Sequence, residues 1–150
     1  MPIQITVTAT YPNDADTVFG HAIRFSELAD AMRGLATYEG LPQAPAQQGQ
    51  TYVVDVTFWK LLKIKGHHIF VETLDFGKRV IQSREHNPNV KHWDHNLSVQ
   101  PDVDGCTWTD AVVIDAGWQT WVTSRFAAFM YKRRHKLRNA TTITTQFQRV

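Results

Sequence analysis

His95 and Asp110 are the side chains best suited to moving a proton or gripping a polar group. They sit in Trp93-Asp94-His95-Asn96-Leu97-Ser98-Val99 and in Thr107-Trp108-Thr109-Asp110. An imidazole held by a carboxylate has its tautomer fixed and its second nitrogen free, which suits a general base or an anchor for a ligand. The two runs flank Asp102-Val103-Asp104-Gly105, a turn sequence between β-type stretches. If Pro101 pairs with Asp104, His95 lies opposite Asp110 and Trp93 opposite Val112, all on one face, whereas a slip of one residue separates them. The alternative is a structural cross-strand pair that only satisfies two polar groups.

Other groups carry weaker chemistry. Arg125 falls on or beside the apolar side of the last helical stretch, where a guanidinium can hold a carboxylate or phosphate bidentately, or else pack its stem and leave its head in water. His67 with His68, and His92 with His95, raise the question of a metal. Neighbouring residues and residues three apart point to opposite faces of a regular strand, so neither pair shares a ligand face. A site built across strands from His67 and one of the second pair is the version that remains; the expectation is no metal and no cofactor. Cys106 is the sole cysteine, so no intrachain disulfide forms, and it reads as a small buried apolar residue rather than a nucleophile. The run Lys132 to Arg138 reads as a solvated helix end, with anionic lipid or RNA contact as the alternative. No phosphate-cradling glycine loop, dinucleotide fingerprint or Gly-x-Ser-x-Gly elbow occurs.

The elements that must position these groups follow from periodicity. Ile3, Ile5, Val7 and Ala9 alternate with polar residues as in a half-buried strand. A short helix follows with Asn13 or Asp14 as cap, then a second with Ser26 as cap. Further strands are expected near 35–39, 51–63, 67–74, 79–85, 90–100 and 106–114, seven in all, with Lys65-Gly66 among the turns and Gly40 to Gln50 as a mobile flap. On the strand from Thr51, the set Tyr52, Val54, Val56 and Phe58 is the expected inner face, which leaves Trp59 suspect. After Gly117 the spacing of Trp118, Trp121, Val122, Arg125, Phe126, Phe129, Met130, Arg133 and Leu137 is helical, over about six turns. The Thr-rich tail from Thr141 reads as an added strand or a frayed end.

At 150 residues, with 43% hydrophobic and 20% charged side chains, the chain suits one domain over 1–150, with its core at about 3–138 and a tail at 139–150. A formal charge of +2 is too small to imply nucleic acid. No run approaches the roughly 18 apolar residues of an integral membrane segment, and the start lacks the basic head and apolar run of a secretory leader. Cytoplasmic residence is the expectation.

These elements make an α+β fold in which a curved antiparallel sheet is covered by the terminal helix, and a wrapped sheet naturally leaves an apolar hollow. The order of elements resembles the START-related lipid-transfer superfamily, often abbreviated SRPBCC. Its helix-grip fold is shared with the birch-pollen allergen and with polyketide cyclase or dehydrase-like proteins. The resemblance spans 3 to about 138. It is carried by Asp16-Thr17-Val18-Phe19 after the first strand, by Glu72-Thr73-Leu74-Asp75 leading to Arg79-Val80-Ile81, and by the paired late strands around Asp102-Val103-Asp104-Gly105. The resemblance implies a binder or carrier of a hydrophobic or amphipathic small molecule held in an internal cavity. Candidate ligand-binding residues are Trp93, His95, Trp108, Asp110, Trp121, Arg125, Phe126 and Phe129. Two alternatives stay open. One is an enzyme of the cyclase, aromatase or dehydrase kind in which His95 and Asp110 transfer protons. The other is a docking module for a protein or membrane, built on exposed tryptophans.

Overall fold

A computed structural model describes residues 1–150. Alternating apolar residues build β1 (Ile3–Tyr11), whose inward side chains Ile5, Val7 and Ala9 are fully buried. Helices α1 (Ala15–Ala22) and α2 (Phe25–Ala31) follow. The strands β2 (Ala36–Glu39), β3 (Thr51–Phe58), β4 (Leu62–Asp75), β5 (Val80–Asn87), β6 (Val90–Asp102) and β7 (Gly105–Asp115) come next. A single turn of tighter helix at Gly117–Gln119 leads into α3 (Thr120–Leu137), and β8 (Thr142–Arg149) ends the chain. The strands form one antiparallel sheet in the order β2-β3-β4-β5-β6-β7-β1-β8. This is the expected helix-grip arrangement, with eight strands rather than seven. The tail supplies the extra one: it pairs along β1 from Ile3↔Arg149 to Thr10↔Thr142, covering an edge that would otherwise expose unpaired backbone groups.

Local chemistry explains most boundaries. Asp14 caps α1, its Oδ1 accepting the Thr17 amide at 3.0 Å. Helix α2 begins two residues earlier than a Ser26 cap implies, with Arg24 in the cap position and no side-chain cap bond. The stretch expected as one strand from Thr51 to Lys63 is a hairpin. It turns at Trp59 and Lys60, both with positive φ (50° and 59°), a backbone shape that Asn-Gly usually signals and that Trp-Lys does not. Lys65-Gly66, expected as a turn, lies inside β4 as a bulge. Gly66 has φ 68°, its amide donates to Asp55 Oδ1 at 2.9 Å, and the register slips between Val54 and Val56. Between β6 and β7, Gly105 (φ +150°) passes so close to the end of β1 that a Cβ would sit 2.1 Å from the Tyr11 carbonyl oxygen.

Helix α3 buries a different side from most of the stripe that the sequence spacing picks out. Its buried residues are Thr120, Ser124, Ala127, Ala128, Arg134 and His135. The bulky stripe splits: Trp118 (91% exposed), Trp121 (60%) and Phe129 (50%) point out, while Phe126 and Met130 face the sheet. Small side chains let the helix backbone come close to β1 and β7, where Ala127 and Ala128 pack on Ile5, Val112 and Ile114. A second core joins α1 to the sheet through Phe19, Ala9, Val99 and Trp108, and a third gathers Met32, Val54, Val56 and Phe58 beside Phe126. No helix is long and apolar enough to cross a membrane.

Candidate functional site

The concave face of β3 to β6, with α2 and α3 above it, forms a partly open cavity of about 250 Å³. Its walls are mostly apolar, with Phe25, Val54, Val56, Phe58, Ile69 and Met130 prominent. An engineered apolar hole of about 150 Å³ takes benzene, so this one has room for a guest of about two fused rings.

The residues singled out from sequence divide into three groups. Trp93, His95 and Phe126 line the cavity. Trp108 and Asp110 are fully buried behind its wall rather than on it. Trp121, Arg125 and Phe129 face away: the Arg125 guanidinium lies over the rings of Trp121 (5.3 Å) and Phe147 (4.6 Å), so it reaches no chamber. Alternation on β3 holds as expected, with Val54, Val56 and Phe58 buried inward, and Trp59 is exposed in the hairpin turn. Phe126 links inside and outside, its ring 5.6 Å from Trp59 and 6.3 Å from Phe129.

The expected register of β6 on β7 is corrected by two residues. Pro101 pairs with Cys106, His95 with Val112, Leu97 with Asp110 and Trp93 with Ile114. A shift of two keeps every side chain on its face. His95 and Asp110 thus become diagonal neighbours, and His95 Nε2 donates to Asp110 Oδ1 at 2.8 Å.

The carboxylate has a second partner that sequence reasoning placed in solvent. His135 is fully buried and donates Nε2–H to Asp110 Oδ2 at 3.2 Å, while its Nδ1 accepts the Tyr11 hydroxyl at 2.6 Å. The chain therefore runs Tyr11, His135, Asp110, His95. Burial works to raise the Asp110 carboxyl, but the hydrogen bonds from His135 and His95 outweigh it and hold the group far below the usual carboxylate range. Burial pushes Tyr11 up to about 12, so the phenol keeps its proton and donates it. With Nε2 of His95 committed to Asp110, Nδ1 is the ring's remaining polar atom, on a side chain that lines the cavity.

A second polar chain was not foreseen. Glu85 accepts from Ser83 Oγ at 2.5 Å and from His67 Nε2 at 2.9 Å. His67 Nδ1 faces the Asn87 amide nitrogen at 3.1 Å. Asn87 cannot be turned round, because its Oδ1 accepts the amides of Asn89 (2.9 Å) and Val90 (3.0 Å). His67 Nδ1 must then accept, and the ring's single proton sits on Nε2, directed at Glu85. Burial works to raise Glu85, yet the hydrogen bond and positive charge of His67, the charge of His95 and the hydrogen bond from Ser83 together hold it below its usual value. The face Ile81, Ser83, Glu85, Asn87 is legible as an alternation, but the opposite face, Gln82, Arg84 and His86, is just as polar, so the pattern does not say which is inside. His67 and His95 both reach the cavity but bond to different carboxylates, while His68 stacks on His86 at 4.6 Å.

The basic run of α3 also departs from expectation. Arg134 is buried, its Nε donating to Glu27 Oε2 at 3.1 Å and its Nη2 to the Ala22 carbonyl at 3.1 Å. Arg138 pairs with the same Glu27, and both guanidinium groups lie over the Trp108 ring, at 4.6 Å and 5.1 Å. Arg134 and Arg138 thus clamp α2 from inside, while Lys132 and Lys136 stay exposed as the sequence suggests. Tyr131 completes the polar end of the cavity: its oxygen accepts from Trp93 Nε1 at 3.3 Å and its ring stands 5.3 Å from that of His95.

No known family's sequence profile matches the chain, and no curated protein matches it in sequence. Solved structures do match in shape. Protein CV1439 from Chromobacterium violaceum superposes with a TM-score of 0.71 at 12% identity, over 89% of this chain and 92% of that one. Ara h 8.0201 gives 0.66 at 7% identity, over 91% of this chain and 97% of that one. TTHA0849 from Thermus thermophilus gives 0.60 at 8% identity, over 87% and 88%. At such identities the likeness is one of fold.

Proposed function

On a helix-grip fold with a hollow between sheet and helices, we propose that this protein binds a small amphipathic molecule in its cavity. The observation that carries the reading is the cavity's division of labour. Its body is apolar, and its polar groups converge from β4, β5, β6 and α3 as His67, Ser83, Glu85, His95 and Tyr131. Apolar burial at about 25 cal/mol per Å² supplies affinity, and the polar end sets orientation. Native mass spectrometry on freshly purified protein is expected to reveal a co-purifying small molecule. A ligand at about 100 times its Kd stabilises the fold by about 2.7 kcal/mol. For a chain of this size that raises Tm by about 5–11 °C. Met130→Trp, which places an indole in the hollow, is expected to abolish that rise while the protein stays folded. A broad panel of apolar ligands that leaves Tm unmoved counts against binding.

A second reading is favoured by the contact between His95 and Asp110. Asp110 keeps a proton on Nε2, so Nδ1 of His95 carries a lone pair at the cavity wall. In a cyclase or dehydrase-like reaction that nitrogen removes a proton from carbon next to a carbonyl, and the bonding pair moves onto the carbonyl oxygen. For a polyketide-like substrate, His95→Gln is expected to lower kcat by about 10²- to 10⁴-fold. KM and Tm should change little. An equal loss of folding would make His95 structural.

A further inference from the structure

We propose that the polar end of the cavity selects a guest with a cationic nitrogen, an amine rather than a carboxylate, and that Glu85 is the residue that reads it. This deepens the binding proposal and rests on it. Glu85 lines the cavity with its side chain 12% exposed, and no Lys or Arg pairs with it; its one ion-pair contact is the His67 imidazole at 2.9 Å, which is a cation only when doubly protonated. Its neighbours are a hydroxyl, Ser83, and an imidazole, His67, whose Nδ1 is committed as an acceptor by Asn87. A protonated His67 would set N–H against the Asn87 N–H₂, and Asn87 is locked by two backbone amides. The carboxylate accepts two hydrogen bonds and has lone pairs left over for a further donor.

The other charges facing the hollow do not neutralise it. Arg134 is clamped by Glu27 and the Ala22 carbonyl, and Glu27 also pairs with Arg138. Only Nη1 of that guanidinium lacks an acceptor, and an anionic guest there would share with Glu27 a charge that is already ion-paired. Arg24 belongs to the rim and is exposed. On the neighbouring strand, His95, which pairs with Ser83, offers an acceptor at Nδ1 and is backed by the ionised Asp110, which adds negative potential to the same end. The phenols of Tyr38 and Tyr131 are protonated, since burial raises both. A buried carboxylate lacking a counter-charge is costly, and a guest ammonium offsets that cost while donating to Glu85 and to His95 Nδ1.

The test compares three guests with one apolar body: naphthylmethylamine, naphthylmethanol and naphthoate, each titrated calorimetrically near neutral pH. The amine is expected to bind about 10- to 100-fold tighter than the alcohol, with the acid weakest, since hydrogen bonds to a charged group are the stronger kind. In Glu85→Gln the amine and the alcohol should differ by no more than about threefold. Ser83→Ala frees one lone pair of Glu85 and should keep or widen the amine preference, which holds the proposal testable if Glu85→Gln does not fold. An acid or alcohol that equals the amine on the native protein overturns the head-group inference and leaves the cavity proposal standing. If none of the three binds, the cavity reading falls, and this inference with it.

Discussion

Asp110→Ala is expected to lower the unfolding free energy by about 3–5 kcal/mol, because it removes one partner from a buried charge-assisted network. Two imidazole N–H groups, on His95 and His135, then lose their acceptor, and at the fully buried His135 no solvent replaces it. By denaturant unfolding the midpoint should fall with little change in slope, and a loss under about 1 kcal/mol would mean that water or a shift of His135 replaces the carboxylate. Asp110→Asn separates structure from chemistry. The amide keeps an oxygen for one imidazole, and His95 can move its proton to Nδ1 and accept at Nε2, so the expected cost is about 1–2 kcal/mol. That tautomer leaves no lone pair facing the cavity, so any proton abstraction by His95 should stop while the fold survives.

The same carboxylate sets the response to acid. Asp110 and Glu85 both have folded-state pKa values below their ordinary values of 3.8 and 4.5. A depressed carboxyl contributes stability that is complete above its unfolded pKa and drains away as the pH falls below it toward the folded value. Stability carried by these two groups should therefore hold above about pH 5 and decline below about pH 4. In Asp110→Asn and Glu85→Gln that acid limb should flatten, and an unchanged limb in both would assign acid sensitivity to other carboxyls.

Trp108→Ala is the other large expected loss, about 3–5 kcal/mol, as for a fully buried indole replaced by a methyl group. The ring packs with Tyr11 at 6.1 Å, meets His135 edge-on at 4.8 Å and floors the guanidinium groups of Arg134 and Arg138. Trp108→Phe refines the argument. The indole N–H has no acceptor in the fold, so the exchange removes volume and cation-facing ring without breaking a hydrogen bond, and about 1–2 kcal/mol is expected. Guest affinity should change less than about twofold, since the residue lies behind the cavity wall. A variant of normal stability that binds its guest poorly would return Trp108 to the wall.

How far these sites were legible depends on what kind of pattern each residue obeys. On β6 and β7 the alternation placed His95 and Asp110 on one face, and a register error of two residues left that statement intact, because strand side chains repeat every two residues. The hairpin at Trp59-Lys60 was not legible. Its left-handed backbone is imposed by the pairing of β3 with β4, and neither residue type prefers it. On α3 two stripes share helical spacing, one aromatic and one of small and basic residues. Bulk suggested that the aromatic stripe packs inward. The sheet demanded close approach, which only Ser124, Ala127 and Ala128 allow, and Arg134 and His135 entered because Glu27 and Asp110 were there to receive them.

Sequence alone determined the order of elements, the curved sheet with its covering helix, and the shared face of His95 and Asp110, since all three follow from periodicities a few residues long. Tertiary structure decided which side of α3 is buried, that the tail joins β1, and that Glu85, His67 and His135 belong to the interior. Those outcomes rest on partners far apart in the chain, such as Tyr11 with His135 and Glu27 with Arg134, 124 and 107 positions away. A polar side chain goes inside only where a complementary one awaits it, and no local pattern records where the distant partner will be.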